Sequence, residues 1–100
     1  MPRKQSEVER SLGKKGFIAS SGDHNYFHYH SKLGKKTSVF TKTSHGSKEI
    51  SDNLLAKMSR QCGLSRSDFE LLIDCPLSRD SYELKLIAAQ RIDPAVDSTG

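Results

Sequence analysis

Residues 24 to 30, His-Asn-Tyr-Phe-His-Tyr-His, alternate with the period of a β-strand. Side chains of a strand point to opposite faces in turn. His24, Tyr26, His28 and His30 therefore share one face, and Asn25, Phe27 and Tyr29 share the other. The second face suits a core; the first is polar and open. Turn-forming residues bound the stretch: Ser-Ser-Gly-Asp before it and the Gly-containing Ser-Lys-Leu-Gly-Lys-Lys after it. "GFIAS" at 16 to 20 and the β-branched, aromatic "TSVFTKT" at 37 to 43 read as the strands on either side.

Helical patterns flank these strands. Residues 6 to 15 carry Val8 and Leu12 on one stripe, with Ser6 and Glu9 in capping-box spacing and Gly13 and Gly16 at the end. Residues 1 to 5 read as loose, and "SHGSKEISD" as an irregular connection. A second helix is expected from about Asn53 to Cys62, capped by Ser51 or Asp52 and closed by Gly63. A third follows Ser65, with Phe69, Leu72 and Ile73 as its stripe, and Cys75-Pro76 breaks it. A fourth restarts behind Ser78, with Tyr82, Leu86 and Ala89 in line. The expected fold is α+β: an α-β-β-β-α core over residues 1 to 64, a helical extension of the same domain over 65 to 90, and a tail over 91 to 100.

One hundred residues fit one small domain. With 28% charged residues and a mean hydropathy of −0.62, no apolar run is long enough to cross a bilayer. No secretory signal is visible at the N-terminus. Cys62 and Cys75 show no CxxC spacing and read as reduced helix-end residues of a cytoplasmic protein. Charge is uneven. Residues 1 to 50 hold ten Lys/Arg against four Asp/Glu, and residues 51 to 100 hold six against eight. The basic half also holds the histidines. That bias favours a polyanion such as nucleic acid, with ordinary solubilising lysine as the plainer explanation.

Three chemistries compete for the histidine face. His24 and His28 stand roughly 13 Å apart along a strand, too far to share a zinc ion with ligands at about 2 Å. His28 and His30 alone do not complete a metal site. Exposed Tyr26 among histidines and lysines suits contact with bases and phosphates, although an aromatic pairing across strands looks the same in sequence. His24, opening the strand behind a Ser-Gly-Asp turn, suits a general base in RNA cleavage, because histidine titrates near neutral pH.

Four segments in order, "LGKKGF", "SGDHNYFHY", "SVFTKTSHGSKEI" and "LLAKMSRQCGL", resemble the HicA family of toxins from toxin–antitoxin systems. The resemblance covers residues 6 to 64. It implies a fold like a double-stranded-RNA-binding domain and an mRNA interferase, a ribosome-independent endoribonuclease; cleavage by a nucleophile that the RNA itself supplies calls for no metal or other cofactor. It also implies a HicB-like antitoxin that covers the site and leaves room for a higher-order complex. The family's motif histidine falls on His24, preceded by Gly22, and its strand aromatic on Phe27. Asp23 stands where the family has serine, the stretch from Gly16 to His24 is shorter, and the helices after Leu64 lie outside the minimal pattern.

On this reading His24 takes a proton from an RNA 2′-OH, which attacks the adjacent phosphate. Asp23 is placed to orient His24, or else to repel phosphate. His28 and His45 are candidates for the acid, Lys35, Lys36 and Lys42 for phosphate charge, and Tyr26 for contact with an RNA nucleobase. The alternatives are an RNA-binding module without catalysis and a basic interaction protein of the same fold.

Overall fold

The computed structural model describes residues 3 to 92. Residues 1, 2 and 93 to 100, which include most of the expected tail, lie outside the described residues. Nine elements follow in order: β1 (Arg3–Lys4), α1 (Gln5–Lys14), β2 (Phe17–Ser21), β3 (Asn25–His30), β4 (Lys36–Thr43), β5 (Glu49–Ile50), α2 (Asp52–Gln61), α3 (Arg66–Ile73) and α4 (Arg79–Ala88). The architecture is α+β, a three-stranded antiparallel sheet in the order β2-β3-β4 with helices on one face.

The alternation expected for β3 is what the sheet uses. Phe27 and Tyr29 are buried, while Tyr26, His28 and His30 stay partly open. On β4, Val39, Thr41 and Thr43 turn inward. The inward side chains join Val8 and Leu12 of α1, Leu55 and Met58 of α2, Phe69 and Leu72 of α3, and Tyr82 and Leu86 of α4 in one core. Tyr82 stacks on Phe17 at 5.8 Å and meets Tyr29 edge-on at 5.2 Å. Helix α4, beyond Leu64, thus packs against the strands themselves.

Helix ends follow local chemistry. Ser51, Ser65 and Ser78 each accept a hydrogen bond from the backbone N–H three residues on, which caps α2, α3 and α4. Helix α2 closes on Gly63 at φ +78°, with Gly63 N–H bonded to Arg60 O and Leu64 N–H to Ser59 O. This is the paired bond pattern that a left-handed residue after a helix permits. Gly16, at φ +100°, ends α1. A Cβ there would lie 2.6 Å from Arg79 Nε and 2.7 Å from Tyr29 Cε1.

Four local expectations are corrected. The Ser6–Glu9 capping box does not form: α1 begins a residue earlier, behind Lys4 with no side-chain cap, and Glu9 instead accepts from Thr43 Oγ1 at 2.7 Å. Gly13 lies inside α1. Ala89 is exposed rather than part of the α4 stripe. Arg3–Lys4 is no loose end, because it pairs with Glu49–Ile50 out of the segment expected to be irregular. Arg3 then reaches Glu70 at 2.9 Å and also bonds Asp74, tying the start of the chain to α3.

Candidate nucleic-acid interface

The face of the sheet away from the helices carries the candidate site. Backbone register places its side chains in rows. Ile18, His28 and Phe40 stand side by side across the three strands, Ser20, Tyr26 and Lys42 form the next row, and His30 faces Lys36. Ile18 is 55% exposed and Phe40 39%. His28 stacks on Phe40 with ring centres 5.1 Å apart and planes inclined by 21°. Phe40 lies 6.4 Å from Tyr26, and Tyr26 lies 6.2 Å from His24. Four rings therefore run obliquely across the open face in one chain, from His28 to His24.

His24 sits in the bend just before β3, with its side chain 37% exposed. Strand alternation alone would turn Asp23 away from His24, but the bend redirects it. Asp23 Oδ1 accepts a hydrogen bond from the Tyr26 hydroxyl at 2.5 Å, and Oδ2 lies 3.5 Å from His24 Nδ1. That second distance is an electrostatic contact and not a hydrogen bond, and the buried Nδ1 has no hydrogen-bond partner. The bond from Tyr26, with a smaller contribution from the charge of His24, holds Asp23 below the ordinary carboxylate value. The same bond pushes the Tyr26 hydroxyl up. A Tyr-Asp-His chain thus lies at one rim of the open face.

His45 braces this rim. Its Nε2 is 2.9 Å from Gly22 O, and since a carbonyl only accepts, the ring donates through Nε2. The contact joins the loop after β4 to the turn that carries Asp23 and His24.

The expected site residues separate into two groups. His24, Asp23, Tyr26 and His45 come together at one end of β3, with Lys42 beside them in the register opposite Tyr26. His28, Lys35 and Lys36 lie toward the other end, where the β3–β4 hairpin closes through Ser31 N–H to Lys35 O at 2.8 Å. Burial first, then the positive charges of Lys36 and His30, hold His28 below the usual histidine value. His30 Nδ1 is 3.1 Å from His28 O, a donor position that points the ring back at its own strand.

Sequence reasoning overlooked Phe40. The signal was present: once Val39 and Thr41 turn inward, Phe40 has to turn outward beside His28. The Tyr26–Asp23 and His45–Gly22 bonds had no such signal, since each depends on how a turn folds back. Among the described residues, no three His, Cys, Asp or Glu side chains stand close enough to share a metal ion. No helix among them is long and apolar enough to cross a membrane. Cys62 is buried, which pushes its thiol up to about 12, and Cys75 is exposed; both are free. Comparison with protein-family models, curated proteins and solved structures finds no match to this chain.

Proposed function

We propose that the protein is a HicA-like, metal-independent endoribonuclease, the toxin of a toxin–antitoxin pair, with His24 as its general base. The observation that carries this reading is the Tyr26–Asp23–His24 chain at the rim of a basic, aromatic sheet face. Asp23, fixed by Tyr26, favours a proton on Nδ1 of His24 and leaves Nε2 as the acceptor. Nε2 takes the proton of an RNA 2′-OH. The O2′–P bond forms and the P–O5′ bond breaks, leaving a cyclic phosphate on one fragment and a 5′-hydroxyl on the other. The nucleophile belongs to the substrate, so the step needs no metal. Lys42 stands on the same face as a counter-charge for the phosphorane, and solvent at the exposed rim supplies the proton for O5′. His45 positions the turn. The resemblance adds a HicB-like antitoxin, and the basic face calls for an acidic surface on it.

A second reading, RNA binding without cleavage, is favoured by the negative charge of Asp23 directly beside His24. One experiment separates them. RNA is incubated with the purified protein in excess chelator, and fragments are checked for cyclic-phosphate ends. Cleavage by the wild type, reduced about 10²- to 10⁴-fold in His24→Ala with circular dichroism unchanged, supports the nuclease. Bound but intact RNA supports the second reading. Cleavage undiminished in His24→Ala removes His24 from the mechanism.

A further inference from the structure

We infer that Phe40, with His28 and Tyr26 on either side of it, forms a stacking subsite for unpaired nucleobases, so that the face takes single-stranded RNA. The inference rests on the RNA reading of this face but not on catalysis by His24.

Phe40 is out of place as a structural residue. It is 39% exposed, it points away from the core, and the rings that touch it are themselves on the open face. His28 lies nearly parallel to it at 5.1 Å, which widens one flat apolar surface. Ile18 extends the same row on β2. An aromatic surface of this kind suits any base, because every base has a π-face.

Charge decides the occupant. Lys42 lies in the next row beside Tyr26, and Lys36 lies toward the hairpin opposite His30. Lys36 therefore lies beyond the His28 end and Lys42 flanks Tyr26, the ring before His24, so that a phosphate backbone crossing the platform would pass both. An apolar partner would leave both lysines without counter-charge, whereas a nucleic-acid strand meets rings and lysines together.

Spacing decides between duplex and single strand. Successive rings on this face are 5.1, 6.4 and 6.2 Å apart. Bases stacked in a duplex are only about 3.4 Å apart along each strand, and their faces are already covered. They cannot seat on successive rings. Unpaired bases can be splayed out and laid on aromatic side chains, the usual mode of protein recognition of RNA loops and single strands. His24 ends the chain of rings, so a strand held on the platform runs toward the Tyr-Asp-His rim.

The test measures binding apart from cleavage. The sequence holds no tryptophan, so Phe40→Trp introduces a single reporter at the centre of the platform. The probes are a labelled unstructured RNA oligomer and the same sequence annealed to its complement. Both are titrated in a His24→Ala background over a salt series. Quenching of the tryptophan by the single strand supports the subsite. So does a roughly 5- to 150-fold loss of single-strand affinity in Phe40→Ala, with its salt slope unchanged. Equal affinity for duplex and single strand, both indifferent to Phe40→Ala, overturns it. So does an absence of RNA binding with self-association on the same face, which makes the occupant a second copy. If Phe40→Ala loses the single strand while no RNA is ever cut by the wild type, the subsite stands and the nuclease reading fails. If RNA is cut but Phe40→Ala cuts and binds as well as the wild type, the nuclease stands and the subsite fails.

Discussion

On the covered face of the sheet, Phe27, Tyr29, Val39 and Thr41 are all buried. Their immediate neighbours in sequence, Tyr26, His28, Phe40 and Lys42, keep access to solvent on the open face. The polar groups of the covered face are individually satisfied: Thr41 donates to Gln61 at 2.7 Å, and Tyr29 donates to Glu83 at 2.6 Å. On the open face the rings touch one another, and none of the described residues packs over them. One alternation thus produces a face whose chemistry is consumed by folding and a face whose chemistry is left free. The difference separates residues that hold the molecule together from residues that the fold leaves accessible.

The largest effect expected from breaking that difference is at Tyr29. It is fully buried, its ring meets Phe17 and Tyr82, and its hydroxyl is bonded to Glu83. Removing a buried aromatic side chain costs about 3–5 kcal/mol, a large part of the roughly 5–15 kcal/mol that a small domain has. Tyr29→Ala should therefore be largely unfolded, or melt more than about 12 °C lower. Phe40→Ala, on the same sheet but half-open, should lower stability by no more than about 1 kcal/mol. Thermal melts of both variants check this. Similar losses in the two would mean that the open face also holds the fold, and the contrast drawn above would be wrong.

How much of this was legible in the sequence follows the same division. Short-period patterns were readable. The three strands, the inward set on β3, and the serine caps of α2, α3 and α4 depend on residues within a few positions of one another. The α+β order followed from them. Contacts between distant segments were not readable. Arg3 pairing back to Glu49–Ile50, His45 reaching Gly22, and Glu83 of α4 bonding Tyr29 of β3 join residues 23 to 54 or so positions apart. No local pattern specifies them. His24 and its neighbour Asp23 were singled out through their place in a motif. The Tyr26 hydroxyl that fixes Asp23 was not, because a bend, and not the strand, brings the two together.

Glu83 offers the next largest effect, and it tests whether the helical extension matters to the open face. Its carboxyl group is buried, and Oε1 accepts from both the Tyr29 hydroxyl and the Lys32 backbone N–H. Arg79, also on α4, donates to His30 O and Ser31 O. Helix α4 thus holds the start of the hairpin that carries Lys35 and Lys36. Glu83→Ala leaves two donors without partners and should cost about 2–4 kcal/mol. Glu83→Gln keeps an acceptor oxygen and should cost about half as much. Hydrogen exchange at the Lys32 amide should accelerate in Glu83→Ala well before the β2–β3 pairing is exposed. If Lys32 exchanges only with global unfolding, the extension does not locally fix the hairpin.

The smallest effect is a pH dependence confined to the open face. Burial, with Lys36 and His30, lowers the pKa of His28 from its ordinary value of 6.5. Between the folded value and 6.5 the unfolded chain binds a proton that the folded chain does not. Stability must then fall as pH drops through that window. Above 6.5 His28 is neutral in both states and contributes no slope; below the folded value both states are protonated and the loss levels off. The two buried tyrosines add nothing here, since burial pushes the hydroxyls of Tyr29 and Tyr82 upward, away from neutral pH. In His28→Phe the stack on Phe40 is kept and the titrating group is gone. Melting temperatures of the two proteins are compared from about pH 8 to about pH 5. The wild type should lose stability more steeply on acidification, and the two curves should converge in slope above 6.5. Parallel curves throughout would mean that His28 titrates alike in both states, and that the open face is more freely hydrated than its ring stacking implies.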